Sequence, residues 1–574
     1  MLDTLIKAGT LVDGTGAPAY RGDIGIRDGR IVSVGKADEP ARESINADGL
    51  MVTPGFIDPH THYDAQLFWD PYANPSNMHG VTSVIAGNCG FTLAPLESRD
   101  ADYIRRMMAQ VEGMPLEALE SGVPWNWRTF PEYLDRLDGK TGVNAAFMVG
   151  HSALRRWVMG GDAVGEKASP EQVKQMVQVL HESLKAGGLG FSTSLSFTHM
   201  DGDGKPVPSR WSDRVEEVMP LVRAVGEHEG TSLELIIDGC VNQFNDEEVA
   251  LMTRMSAESR RIINWNVLQI DARDRARYEH QMAACRRMAE GGGRVVALTM
   301  PTIVGQTMSF LTYCALQLMP GWKDVLRLPV PVRMGALRAP ETRRWMMEQA
   351  ERPEAAGLRR LTRWETYTIG DTFSQANEGL KGRKVADVAR ERGQSPTDCL
   401  FDIVLNDDLR TILWPGYFDD SAESWALRAE AWQDKQILLG GSDAGAHLDR
   451  MCGSCYTTQF VGDCLRGRKL LPVERAVQLI TQAPARLFGL RERGELRAGN
   501  HADIVLLDPA RVGAGEVRRA DDLPGGSWRL TADAVGVERV LVNGRTTVQG
   551  NKTTGELAGK ILRSGRDTYT PVMN

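Results

Sequence analysis

Along the first fifty residues the apolar positions fall in short runs separated by turn residues, at 4–8, 10–14, 23–26 and 30–35. Short runs of this kind mark strands, and Asp28-Gly29 between the last two predicts a tight hairpin. The same grammar returns at 494–508 and 540–545. Neither end carries enough apolar surface for a sheet that stands alone. The two ends are therefore expected to pair into one composite β-sandwich built from residues 1–53 and 486–574.

Between them the pattern changes. Apolar strand candidates at 83–87, 144–149, 190–193, 232–237, 261–267, 295–298 and 437–441 alternate with stretches such as 170–180, whose apolar residues recur every three or four positions. Strand then helix, about eight times over, is the grammar of a parallel (β/α)8 TIM barrel, an α/β fold expected here over 54–485. An open doubly wound sheet would give a similar string, although the Gly-rich phosphate-binding turn it often carries is not evident. The rhythm breaks at 301–394, where Trp322, Trp345 and Trp364 sit among many arginines. That stretch reads as a long insertion after a late strand, expected to cover the barrel mouth.

Composition narrows the function classes. At 574 residues the chain suits one large domain with a smaller companion, and 42% hydrophobic with 25% charged residues is the balance of a globular protein. The formal charge of -8 comes without a basic stripe or a polybasic amphipathic segment, which argues against nucleic acid and against a membrane surface. The N-terminus lacks the pattern of a signal peptide and no apolar run has the length of a bilayer, so a cytoplasmic location is expected. Eight cysteines in so long a chain are read as reduced thiols. Cys452-Gly-Ser-Cys455 has the spacing of a zinc or redox pair, but without a second such pair it is taken as two plain thiols.

Chemistry concentrates where strands should end. In an extended strand residues i and i+2 share a face, so His60 and His62 can present two ring nitrogens to one point. Cys89, in Gly-Asn-Cys-Gly, follows the next strand, and Asp443, in Gly-Ser-Asp-Ala-Gly, follows the last. Barrel enzymes work at these C-terminal strand ends, and nitrogen, thiolate and carboxylate donors together suit zinc better than magnesium or calcium. Asp443 is the group that can take a proton from an activated water and pass it to a leaving nitrogen.

The stretch Gly55-Phe-Ile-Asp-Pro-His-Thr-His-Tyr-Asp64 resembles the first-strand signature of the amidohydrolase superfamily, and most of all its N-acyl-D-amino-acid deacylase branch. Gly-Asn-His-Ala-Asp-Ile-Val-Leu-Leu-Asp, from Gly499, looks like the closing signature of that superfamily. The resemblance implies a barrel inserted into a sandwich and metal-dependent hydrolysis of the amide C–N bond of a small N-acyl amino acid. It implies a metal-ligand place for Cys89 and a carboxylate-binding fork at Arg450. His151, within Gly-His-Ser-Ala-Leu-Arg155, matches another element of the branch, and His447, four residues after Asp443, could line the same loop. These four, Arg450, His151, Arg155 and His447, are the candidate substrate-binding residues. The pattern departs in strands five and six, where the branch carries histidines and this chain reads Thr231-Ser-Leu-Glu-Leu-Ile236 and Ile263-Asn-Trp-Asn-Val267. Glu234, Asn264 or Asn266 are the candidate replacement ligands. Hydrolysis of another amide, a cyclic amide or a lactone would use the same chemistry, and a non-catalytic binding protein on the same fold is the alternative from another class. The partner expected is a small-molecule substrate, with homo-oligomer formation left open.

Two imidazoles, a thiolate and a carboxylate would saturate a tetrahedral zinc and leave no place for water. The expectation is therefore one zinc per chain on His60, His62 and Asp443. Cys89 then sits beside it, as a weak further ligand or as the remnant of a second site.

Overall fold

The computed structural model describes residues 1–573 apart from Tyr313, Gly357 and Tyr417. Two compact units are present, one of Met1–Thr302, Ser421–Leu448 and Cys452–Asn574, the other of Ile303–Asp420 and Asp449–Met451. No helix among the described residues is long and apolar enough to cross a membrane.

In the first unit, β1 (Leu2–Leu11), β2 (Tyr20–Arg27), β3 (Arg30–Gly35), β4 (Ala41–Asn46) and β5 (Met51–Pro54) share one nine-stranded sheet with the strands Ile504–Leu507, Val537–Val542, Arg545–Gln549 and Lys552–Thr553. The chain ends join where β5 runs antiparallel to Ile504–Leu507, with Thr53 opposite Val505. Asp28 and Gly29 both adopt left-handed backbone, φ 51° and 73°, and close the β2–β3 hairpin as their sequence predicts. The runs 4–8 and 10–14, expected as separate strands, are one. Ala8 takes a φ of 59° and the pairing shifts register between Ile6 and Gly9, so a bulge interrupts β1 where a turn was expected.

A second group of strands is parallel. β6 (Phe56–Asp58), β7 (Val81–Ala86) and β8 (Asn144–Phe147) form one ladder. β9 (Val149–Gly150), β10 (Gly190–Leu195), β11 (Ser232–Ile237), β12 (Ile263–Trp265), β13 (Val295–Thr299) and Ile437–Leu439 form the other, in that order. Every residue of β7, β10 and β11 is buried, as expected of parallel strands covered on both faces, and the hydroxyl residues and Glu234 among them are buried with the rest. One core cluster draws Ile57, Ile85, Ala146 and Met148 from the first ladder together with Val296, Leu298 and Leu438 from the second. The period-3.6 stretch near 170 is the helix Pro170–Lys185, started by a Ser169/Gln172 capping box.

The second unit has its own core. Trp322 and Trp364 stack with ring centroids 6.2 Å apart, and Phe310, Phe401 and Tyr367 pack around them, whereas Trp345 is 37% exposed. Its extent differs from the 301–394 expected from rhythm alone. The helix Pro396–Asn406 gives Leu400, Phe401, Ile403 and Val404 to this core, and Leu413–Trp414 pairs with Thr368–Ile369.

Asp503 holds the seam between the chain ends. Its backbone carbonyl accepts from Gly55 N–H at 2.8 Å, and its carboxylate accepts from Asn543 N–H at 2.8 Å, from Asn144 Nδ2 at 3.2 Å and from the Arg493 guanidinium. The Arg493 and Asp503 side chains are 3% and 5% exposed. Asp503→Ala leaves a buried guanidinium without its counter-charge, and a loss of about 3–5 kcal/mol is expected in denaturant unfolding. His79 gives a pH signature. Its Nε2 donates to the Ala532 carbonyl at 2.9 Å, its Nδ1 meets the Thr458 hydroxyl at 2.6 Å, and burial lowers its pKa to about 4. The unfolded chain therefore binds this proton more readily between about pH 6.5 and 4, so stability is expected to fall with pH across that window by up to about 1.4 kcal/mol per unit. Thermal melts of His79→Gln should show a shallower fall over the same range.

Candidate metal centre

The loops that follow β6, β7 and Ile437–Leu439 are tied to one another by backbone. His62 N–H donates to the Ala444 carbonyl at 2.7 Å, and Asp443 N–H donates to the His60 carbonyl at 3.3 Å. Asp58, the last residue of β6, accepts from His60 N–H at 3.3 Å and Ser442 N–H at 3.4 Å, and from the Ser442 hydroxyl. Gly445 has a φ of 92°, and a Cβ there would lie 2.4 Å from the His62 carbonyl oxygen, so only glycine allows this approach. Cys89 is held by four further contacts on its loop. Gly87 N–H donates to Asp64 at 3.0 Å, Asn88 Nδ2 to the Thr61 carbonyl at 3.1 Å, Cys89 N–H to Glu234 Oε2 at 2.7 Å, and Gly90 N–H to the Ser192 hydroxyl at 3.0 Å.

These ties bring five donor atoms into an arc. Cys89 Sγ lies 3.6 Å from His60 Nε2, and His60 Nε2 lies 3.2 Å from Asp443 Oδ1. Asp443 Oδ1 lies 3.6 Å from His62 Nε2, and His62 Nε2 lies 3.4 Å from Glu112 Oε2. His60, His62 and Cys89 form a buried cluster of the kind that holds a metal ion. Tetrahedral zinc bonds of about 2.0–2.3 Å set neighbouring nitrogen, oxygen and sulfur donors about 3.3–3.6 Å apart, so the separations along the arc fit. The charges fit too. Burial raises the Glu112 pKa to about 7, with Asp443 pushing the same way and His62 opposing. Burial works against a charge on His62, but Glu112 and Asp443 outweigh it and lift the ring to about 9. For Asp443 the hydrogen bonds from His60 and His62 overcome burial and hold it well below the carboxylate range, while burial and the carboxylates of Glu234, Glu112 and Asp443 push the Cys89 thiol up. Such a cluster has an excess of anionic donors that a cation would balance. The Asp443 side chain is 29% exposed, against 2% for His60, 1% for His62 and 4% for Glu112, so solvent reaches the arc at Asp443.

The replacement candidates lie at the Cys89 end. Glu234 on β11 pairs in register with Asn264 on β12, so their side chains share a face with that of Asn266 two residues on. Asn266 Nδ2 donates to Glu234 Oε1 and lies 3.6 Å from Cys89 Sγ, and Glu234 Oε1 lies 3.9 Å from His60 Nδ1. His151 and Arg155, expected to bind substrate, are otherwise engaged. Both ring nitrogens of His151 are taken, by Thr193 Oγ1 at 2.9 Å and Glu217 Oε1 at 2.8 Å, and Arg155 pairs with the same Glu217 and with the Glu166 carbonyl. They sit in a fully buried network, in which Arg155 Nε has no hydrogen-bond partner among the described residues. His447 follows Asp443 in the same loop and its N–H donates to the Glu112 carbonyl at 2.5 Å. Arg450 belongs to the second unit, where its Nε pairs with Asp449 at 2.8 Å.

Two neighbours of the arc escape the sequence reading. Glu112 lies just past α1 (Ala101–Val111) and carries no motif. His199 has Nδ1 fixed by Ser194 Oγ at 2.7 Å, and burial helped by His447 and His62 pushes its ring down to about 3. Its position four residues beyond the end of β10 was the available signal.

A buried donor set that could hold a metal ion, placed at the ends of parallel strands, is where barrel enzymes carry their chemistry. The amidohydrolase family model matches residues 43–548, and the chain belongs to that family. A model of the urease alpha-subunit N-terminal domain also matches residues 1–56. The D-aminoacylase of Alcaligenes xylosoxydans xylosoxydans is 28% identical over 98% of this chain and 97% of its own length. The N-acyl-D-aspartate deacylase of the same organism is 29% identical over 98% of this chain and 95% of its own. Among solved structures, the N-acyl-D-glutamate deacylase of Bordetella bronchiseptica, complexed with zinc and a phosphonate mimic of the tetrahedral intermediate, shares the fold at a TM-score of 0.65 and 24% identity, covering 98% of this chain and all of the other.

Proposed function

We propose that this chain is a metal-dependent amidohydrolase that cleaves the amide bond of a small N-acyl amino acid, of the D series that its relatives' names carry. The observation that supports it most is the arc itself, in which His60 and His62 point both Nε2 atoms at Asp443, the one carboxylate of the arc that solvent reaches. One zinc per chain is the proposed cofactor, held by His60, His62 and Asp443 with Cys89 at the edge. When bound, such an ion supplies Lewis-acid polarisation and acidifies water. Asp443 then accepts a proton from the attacking water and returns it to the leaving nitrogen as the C–N bond breaks, giving a carboxylate and a free amine. Ser442 and Asp58 keep Asp443 oriented for both transfers. Arg450 as the fork for a substrate carboxylate rests on the resemblance alone.

The same reading takes the two parallel ladders as parts of one eight-stranded barrel, with β8 and β9 as a single interrupted strand. The core cluster shared by both ladders and the parallel bridge between Thr61 and Ala444 support it. The nine-stranded sheet is then the composite sandwich element.

Amine release from a panel of N-acyl-D- and N-acyl-L-amino acids, with zinc supplied, is expected to show turnover; none on any member overturns the assignment. Asp443→Asn should lower kcat by about 10²–10⁴-fold, as loss of a general acid–base does. Elemental analysis should find about one zinc per chain, lost in His60→Ala and largely kept in Cys89→Ala.

A further inference from the structure

We infer that Glu112 is a direct ligand of the ion held by His60, His62 and Asp443, an inference that rests on the metal reading of the site given above. Glu112 stands where a carboxylate is doubly disfavoured. It caps the C-terminus of α1, whose dipole places partial negative charge there, and its side chain is only 4% exposed. The sequence around it, Val111-Glu-Gly-Met114, with Gly113 at a φ of 58°, is an ordinary helix stop that has no need of an acid. A bound cation removes both penalties.

Its geometry separates a ligand from a supporting group. A carboxylate that merely orients a metal-binding histidine bonds the ring nitrogen facing away from the ion. Glu112 does the opposite. Its Oε2 lies 3.4 Å from His62 Nε2, the nitrogen that also faces Asp443, while His62 Nδ1 has no hydrogen-bond partner among the described residues. The placement is fixed through backbone. The Glu112 carbonyl accepts from His447 N–H at 2.5 Å, and His447 lies on the Asp443 loop, so the two carboxylates are anchored to each other across the histidine they share. The resulting set of two imidazoles and two carboxylates is harder than one containing Cys89, and with four protein ligands the attacking water takes a fifth position, an expansion that catalytic zinc permits.

The test uses zinc alone. In an anomalous-difference map of wild-type crystals grown with zinc chloride, a peak beside His60, His62 and Asp443 is expected within about 2.3 Å of a Glu112 oxygen. A peak on those three with Glu112 beyond about 3.5 Å overturns the inference and leaves the metal reading standing, whereas no zinc uptake by the wild type overturns both. In solution, folded Glu112→Gln is expected to bind zinc at least about tenfold more weakly in chelator competition. An unchanged affinity counts against the ligand role, and should the variant not fold, the wild-type map decides.

Discussion

The structure turns on the burial of acids around two imidazoles. Asp58, Asp64, Glu112 and Glu234 are all almost fully removed from water and Asp443 largely so, within a few residues or a few ångströms of His60 and His62. Burying an unpaired carboxylate costs several kcal/mol, so such a cluster persists only if hydrogen bonds and positive charge answer each oxygen. Asp58 is answered by the His60 and Ser442 N–H groups and the Ser442 hydroxyl, and Asp64 by Gly87 N–H at one oxygen and by the nearby charge of His62, so both serve as clamps on the loops. Glu112 and Asp443 are answered by imidazole, and it is there that a cation has its place on the proposed reading.

The clamps explain why so much left-handed backbone surrounds the site. Cys89, Asp443 and His447 have φ of 54°, 54° and 50°, conformations costly for residues with a Cβ. Each lies in a loop pinned by hydrogen bonds from another strand end, so the strain is held by the scaffold and turns the side chains inward. Glycine could not replace these residues without losing the donor, and the neighbouring glycines absorb what the donors cannot.

The parts of this arrangement legible from sequence are those whose signal is local. His60 and His62 announce themselves by their i, i+2 spacing just past an apolar strand, and Asp443 by a Gly-Ser-Asp-Ala-Gly turn after an apolar run. The Asp28-Gly29 hairpin and the shared sheet of the two chain ends were readable for the same reason. Glu112 was not, because its meaning comes from a tertiary approach between the end of α1 and the His62 ring, and a single glutamate before a glycine is an ordinary helix end. At His151 and Arg155 the partner, not the residue, was illegible. They close a strand and match a family element, but Glu217, which claims both, lies more than sixty residues away and has no local pattern that points to them. The extent of the second unit was hidden likewise, since a core built from stacked tryptophans has neither strand nor helix period of its own.

The two ends of the arc then have different characters. At the Glu112 end the carboxylate faces His62 Nε2, which among the described residues is otherwise within ion-pair distance of Asp443 alone. At the Cys89 end Glu234, which stands where the family resemblance places an imidazole, has both oxygens occupied, one by Cys89 N–H and one by Asn266 Nδ2. Each Glu234 oxygen keeps a lone pair, but these two donors fix the carboxylate's orientation, and its charge helps to raise the pKa of the thiol beside it, so that thiol must lose a more tightly held proton before it can ligate. On the proposed reading, the hydrogen-bonded Glu234–Asn266 pair buttresses the Cys89 end of the arc, and the ion lies between His60, His62 and the two carboxylates at the other end.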